Sequence, residues 1–212
     1  MPNSNLTEIV FIIDRSGSMR SIKSDMEGGL KSFAAEQKKL PGEALLSIYT
    51  FDDVYETFCE GASLDAAETF ELEPRSMTAL LDAIGKTINN VGARISKTSE
   101  DQRPGKVAVV IVTDGHENAS VEFKLSQISQ MIKHQTDKYQ WQFAFLGANI
   151  DSFAEAGRLG ISSQSTMDYH PSAAGVVGAY GSLSRGLASY RSAGPSASLS
   201  LTPSDQEPEE EK

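Results

Sequence analysis

The chain has 212 residues, of which 39% are apolar and 23% are charged, a composition typical of folded globular proteins rather than of disordered chains. Its net charge of −10 disfavours nonspecific nucleic-acid binding, because such binding depends on Lys and Arg side chains that neutralise phosphates. No apolar run approaches the length of a membrane span, roughly 18 residues. The first residues show neither the basic segment nor the cleavage site of a secretory signal, and Cys59 is the single cysteine. We therefore expect a cytoplasmic protein without an internal disulfide.

Strand-like segments alternate with amphipathic helical segments along the chain. The Ile- and Val-rich run at 6–13 is typical of a strand that is buried on both faces. Apolar residues between positions 19 and 40 then recur at three- and four-residue steps, which predicts a helix. The next two strands, at 44–51 and 54–60, are separated by only two acidic residues, so we expect them to pair antiparallel.

The second half of the chain follows the same pattern. The predicted elements in chain order are a helix from about 78 to 95, a strand at 106–113, a helix at 125–132, a strand at 141–149, a short helix at 150–160, a strand at 164–169 and a helix at 176–190. Such alternation predicts the α/β class, as a three-layer α/β/α sandwich around a mostly parallel central sheet. Residues 193–212 are rich in Ser, Pro and Glu and are predicted to form a disordered acidic tail. Residues 1–192 then make up one domain.

Two acids and three hydroxyls fall near the predicted carboxyl ends of the strands, where α/β sheets bind their ligands. Asp14 follows the first strand, Asp114 follows the strand at 106–113, and Ser16 and Ser18 come two and four positions after Asp14. Thr78 precedes the second long helix, where its hydroxyl can reach the same crevice. A set of oxygen ligands without sulfur or imidazole suits Mg²⁺, or Mn²⁺ as its substitute. This set also leaves at least one octahedral position for water or an external carboxylate.

The same residues carry a resemblance to a known family. Residues 14–18, Asp-Arg-Ser-Gly-Ser after a strand, resemble the D-x-S-x-S signature of von Willebrand factor A domains. Thr78 and the Asp114 of Thr-Asp-Gly match the remaining elements of that family's metal-ion-dependent adhesion site. The resemblance covers roughly residues 6–192 and is strong because all five positions occur in order within an α/β alternation.

The resemblance has implications for fold, ligands and partners. It implies a sheet of strand order 3-2-1-4-5-6 with an antiparallel edge strand, and helices on both faces. It implies direct metal ligation by Ser16, Ser18 and Thr78, with Asp14 and Asp114 acting largely through waters. It further implies an intracellular adapter whose partner supplies an Asp or Glu to the metal. Cytosolic relatives often serve complexes with ATPases of the AAA+ class.

An enzyme is the alternative function. A Mg²⁺-dependent phosphatase or phosphotransferase of the haloacid-dehalogenase type also places an Asp after its first strand. That chemistry needs a second acid two residues later, and here the position is Ser16. We therefore expect a binding module without catalysis.

Several site residues also have ordinary structural interpretations. Ser16 and Ser18 are suited to capping the helix that follows them, and Thr78 to capping the second long helix. Arg15 stands either at the rim of the metal site, where it helps to select a carboxylate, or exposed in solvent. Asp82 is expected to face solvent or to support the site indirectly.

Overall fold

The computed structural model describes residues 1–194 and 197–202. Six strands form one sheet, and their bounds are β1 (Asn3–Asp14), β2 (Glu43–Phe51), β3 (Tyr55–Ser63), β4 (Pro104–Thr113), β5 (Gln142–Gly147) and β6 (Thr166–Asp168). The strand order is β3-β2-β1-β4-β5-β6. Only the edge pair β2–β3 is antiparallel. The predicted mostly parallel sheet, its strand order and its antiparallel edge are therefore confirmed.

Helices cover both faces of the sheet. Their bounds are α1 (Lys23–Lys38), α2 (Leu80–Lys97), α3 (Leu125–Tyr139), α4 (Ser152–Leu159) and α5 (Ala173–Ser192). One apolar core lies between the sheet and helices α1 and α5, and a second lies between the sheet and helices α2, α3 and α4. This arrangement confirms the three-layer sandwich. None of the described helices is long and apolar enough to cross a membrane.

Strand β1 shows why the sheet must be covered on both sides. Ile9, Phe11 and Ile13 contribute to one core, while Val10 and Ile12 contribute to the other. All five side chains are fully buried, as expected for a central parallel strand whose successive side chains point to opposite faces. The strand then ends at Asp14 on the edge of the sheet where β2 and β4 also end.

The packed part of the chain extends beyond the predicted boundary at residue 192. Within the predicted tail, residues 197–202 lie against α5, with Leu199 and Leu201 buried and the residues beside them more exposed. Ser182 of α5 donates a hydrogen bond to the carbonyl of Thr202, at 2.5 Å. This alternation of apolar and polar residues is that of an extended segment, which contacts the domain through the two leucines and through hydrogen bonds. Residues 195–196 and 203–212 of the predicted tail lie outside the described residues.

Candidate metal centre

Two hydrogen bonds fix the carboxylate of Asp14 at the end of the first strand. Its Oδ1 accepts the backbone N–H of Ser16 at 2.6 Å, and its Oδ2 accepts the hydroxyl of Thr113 at 2.6 Å. Asp14 is fully buried. Because Thr113 is the last residue of β4, the second bond joins the carboxyl ends of the two central strands.

A chain of hydrogen bonds links the first loop to the loop after β4. The hydroxyls of Ser16 and Ser18 lie 3.0 Å apart. Ser18 also donates to Oδ1 of Asp114, at 2.5 Å. The structure thus brings together four of the five predicted residues, although 100 positions separate the two acids in the sequence.

Thr78 completes the group from a third loop. A methyl group added to Gly115 would lie 3.3 Å from Thr78 Oγ1, 3.9 Å from Asp14 Oδ2 and 3.9 Å from Ser16 Oγ. Oxygens from the first loop and from the loop of Thr78 therefore lie within 4 Å of a side chain placed at position 115, in the loop after β4 that also carries Asp114. Among the described residues, none forms a hydrogen bond with the Thr78 hydroxyl.

The carboxylates of Asp14 and Asp114 are both buried, and they repel each other. Burial raises the pKa of Asp14 to about 6, and the charge of Asp114 adds to this increase, although hydrogen bonds from Thr113 and Ser16 oppose it. Burial also raises the pKa of Asp114. A cation bound between the two acids would favour their ionised forms, since a metal ion is the dominant charge of its site.

The hydroxyls are not used as helix caps. Ser16 occupies the N-cap position of a 3₁₀ turn at Gly17–Ile22, but its side chain makes no capping hydrogen bond. Helix α2 has Ala79 at its N-cap, without a side-chain cap. The capping interpretations of Ser16 and Thr78 are therefore wrong: neither hydroxyl is used by a helix, and the Ser16 hydroxyl is hydrogen-bonded to the Ser18 hydroxyl.

Two other expectations need correction. Arg15 is not exposed, since it is 3% exposed and forms ion pairs with Asp52 and Glu56. Asp82 is buried and does not face solvent. Its carboxylate accepts the backbone N–H groups of residues 121–123 and fixes the loop after β4, which fits the other alternative, indirect support of the site. The solvent-exposed alternative fails for both residues, because a single sequence does not reveal which loop folds over them.

Two further residues support the site; the sequence places Asn118 beside it with a partner contact or a loop role as alternatives, and does not single out Thr113. Thr113 orients Asp14, and Asn118 accepts the backbone N–H of Thr78 at 2.9 Å. Asn118 in turn donates its own backbone N–H to the Thr78 carbonyl at 3.0 Å. The position of Thr113, one residue before Asp114 at a strand end, was the one available signal.

The donor set fits a hard divalent cation. In the described part of the chain, no group of three or more His, Cys, Asp or Glu residues could hold a metal. Metal binding here would therefore depend on the hydroxyls of Ser16, Ser18 and Thr78 beside the two carboxylates. Oxygen-only donors of this type favour Mg²⁺ or Mn²⁺ over softer metals.

No protein-family profile and no curated protein sequence matches this chain. Solved structures do match its fold. The vWF domain of the type V pili tip protein Mfa5 from Porphyromonas gingivalis has a TM-score of 0.66 at 9% identity, over 89% of this chain and 97% of that one. Proximal thread matrix protein 1 from the mussel byssus, with a zinc-occupied MIDAS motif, has a TM-score of 0.65 at 14% identity.

The byssus match covers 89% of this chain, which spans only 47% of the length of that protein. A von Willebrand factor type A structure from Catenulispora acidiphila has a TM-score of 0.57 at 12% identity, over 87% of this chain and 42% of that one. Such low identities show the fold alone. The fold of this chain is thus that of von Willebrand factor A domains.

Proposed function

We propose that this chain, with its von Willebrand factor A-like fold, is a protein-interaction module that binds a divalent cation and a carboxylate of its partner. The metal is Mg²⁺, for which Mn²⁺ can substitute, and the residues that hold it are Asp14, Ser16, Ser18, Thr78 and Asp114. One observation carries the proposal. Oxygen atoms of these residues converge from three loops, and the Thr78 hydroxyl is not engaged by any described residue.

The residues have distinct roles in the proposed site. Ser16, Ser18 and Thr78 contribute neutral oxygens, and the resemblance implies that they bind the ion directly. Asp14 and Asp114 supply the charge, and they act largely through waters. A bound Mg²⁺ would supply a Lewis-acidic coordination position, and three neutral ligands would leave it enough positive charge to favour an external Asp or Glu.

The wider setting of the module is also part of the proposal. We place it in the cytoplasm as an adapter in a multiprotein complex, with a complex of an AAA+ ATPase as the kind of partner that the resemblance suggests. We do not assign it a catalytic role, because a phosphatase of the haloacid-dehalogenase type would need an acid where Ser16 stands. Turnover of p-nitrophenyl phosphate that is lost in Asp14→Asn would reverse this assignment.

Calorimetric titration of Mg²⁺, Mn²⁺ and Zn²⁺ into chelator-treated protein tests the metal site. We expect one-site binding in the wild type and none in Ser16→Ala/Ser18→Ala. The matched control is Ser24→Ala/Ser32→Ala, which removes two exposed hydroxyls from α1 and should bind like the wild type. Binding that survives in the site double variant would refute the assignment of the ligands.

A second titration tests the open coordination position. Sodium acetate provides a carboxylate without any protein partner, and sodium chloride at equal ionic strength is its control. We expect acetate to raise the apparent affinity for Mg²⁺ in the wild type. Equal affinities in both salts would contradict the carboxylate part of the proposal while leaving the metal part standing.

A further inference from the structure

Asp52 lies between the two loops that carry the serines and the threonine of the candidate site. It is fully buried at the turn between β2 and β3. Its Oδ1 accepts from Arg15 Nη2 at 3.3 Å and from the backbone N–H of Val54 at 2.7 Å, and its Oδ2 accepts from Arg75 Nε at 2.6 Å. One carboxylate therefore holds an arginine from each loop.

Glu56 repeats this bridge on strand β3. Its Oε2 accepts from Arg15 Nη1 at 2.6 Å and its Oε1 from Arg75 Nη2 at 2.7 Å. These two hydrogen bonds hold the pKa of Glu56 down at about 2. We call the group of Arg15, Asp52, Glu56 and Arg75 the inter-loop clamp.

Backbone hydrogen bonds also join the loops that the clamp side chains connect. Arg75 N–H donates to the Arg15 carbonyl at 2.8 Å, and Gly17 N–H donates to the Ser76 carbonyl at 3.3 Å. The carbonyl of Asp52 accepts the N–H of Ala79 at 2.8 Å. Arg15 stands between Asp14 and Ser16, and Ala79 directly follows Thr78, so each contact acts one residue away from a proposed ligand.

The clamp controls geometry rather than charge. Two guanidinium groups and two carboxylates sum to zero, so the clamp adds no net charge to the site. A buried ion pair is often no more stabilising than an apolar replacement, because desolvation costs about as much as the attraction returns. A specific geometry is the better reason for placing two arginines and a fully buried acid here.

From these contacts we infer that Asp52 is a positioning residue, which sets the spacing between Ser16 and Thr78 for metal binding. The inference rests on the proposed metal site. Residues that orient the ligands of a metal typically change its affinity by about 10- to 100-fold when they are mutated. We expect Asp52→Asn to weaken Mg²⁺ binding by about tenfold or more.

Asp53→Asn is the matched control. Asp53 is the next residue and is exposed, so its substitution removes the same charge from the same turn without breaking the clamp. We expect it to change Mg²⁺ affinity by less than about twofold, because exposed charges are screened by salt. Equal effects of both substitutions would overturn the inference, since the loss would then be one of charge alone.

The direction in which Arg75→Gln changes the affinity for Mg²⁺ distinguishes loss of the clamp from loss of charge. The Arg75 side chain is 44% exposed, so this variant should fold even where Asp52→Asn does not. Removal of a positive charge near a cation site raises the affinity for Mg²⁺, whereas loosening of the clamp lowers it. Weaker binding supports the clamp, and tighter or unchanged binding contradicts it.

Amide hydrogen exchange distinguishes failure of the clamp from failure of the metal site. In metal-free protein, Asp52→Asn should speed exchange at Arg75, Gly17 and Ala79 by more than about tenfold, with little change in the strands. If the wild type binds no metal, the proposed function fails, and faster exchange would still support the clamp. Unchanged exchange at these three amides would overturn it.

Discussion

Leu199→Ala measures how firmly the segment at residues 197–202 is held on the domain. Leu199 is fully buried among the residues of the core under α5, and its backbone carbonyl accepts the hydroxyl of Ser165 at 2.6 Å. Its neighbour Leu201 is also buried, and the backbone N–H of Leu201 donates to the Gln164 carbonyl at 2.7 Å. A disordered tail would make none of these contacts.

The loss in the free energy of unfolding caused by Leu199→Ala has an upper limit. Truncation of a fully buried Leu to Ala costs about 2–5 kcal/mol. The segment can leave the domain, however, so the cost cannot exceed the free energy with which it docks. Ordering the segment costs conformational entropy, which offsets part of what its burial and its hydrogen bonds contribute. We therefore expect the free energy of unfolding to fall by about 2 kcal/mol, at the low end of the range.

Urea denaturation measures this change as a shift in midpoint at constant slope. For a protein of this size, a loss of 2 kcal/mol corresponds to roughly 4–8 °C in Tm. Ser198→Ala is the control, since Ser198 is exposed next to Leu199 and should change stability by no more than about 0.5 kcal/mol. An equally small change in Leu199→Ala would refute the packing of the segment.

Gly186→Ala perturbs the same contact from the other side. A methyl group at Gly186 would lie 2.4 Å from the Ser200 carbonyl oxygen, whereas one at Gly181 in the same helix would lie 3.5 Å from its nearest contact, a side-chain nitrogen of Arg185. Gly181→Ala should stabilise the helix by up to about 1 kcal/mol, and Gly186→Ala should destabilise the protein. Because both release the same segment, Gly186→Ala and Leu199→Ala should be less than additive when combined.

Two further predictions concern the rest of the domain. Gly29→Ala should destabilise the protein by about 1–3 kcal/mol, because its methyl group would lie 2.5 Å from the Tyr180 ring. The adjacent Gly28 has open space around it, so Gly28→Ala should stabilise the protein by up to about 1 kcal/mol. Equal effects of the two substitutions in thermal denaturation would contradict this packing. Burial raises the pKa of Glu8 above its ordinary 4.5, so the native state keeps a proton that the unfolded chain releases. Stability should therefore fall as pH rises above about 4.5, and Glu8→Gln, measured by urea denaturation across that range, should remove this part of the pH dependence.

The sequence by itself determined the fold to a large extent. The apolar runs at 6–13 and 106–113 have no polar face, so they require a helix layer on each side, and the observed sheet has both. The three residues between β2 and β3, two of them acidic, leave room only for a tight turn, which makes that edge pair antiparallel. These are local properties of the chain, and they are readable without knowledge of distant contacts.

The group of five candidate residues was also predicted from sequence. The carboxyl ends of β1 and β4 must share one edge of a parallel sheet, so Asp14 and Asp114 meet wherever the strands are neighbours. The structure brings Ser16 and Ser18 into hydrogen-bonding contact between them. Their roles as metal ligands stay a prediction for the titrations to test.

Only the tertiary structure decided which charged side chains near the site are buried and which partners they bind. Arg15 and Asp82 stand in polar sequence and resemble exposed residues, yet each is buried, because a loop distant in sequence supplies its partners. The same holds for Leu199 and Leu201, which lie in a Ser- and Pro-rich stretch but fill a surface made by α5 and the turn before β6. Composition describes a segment on its own, whereas burial depends on the complementary surface that the rest of the chain folds to provide.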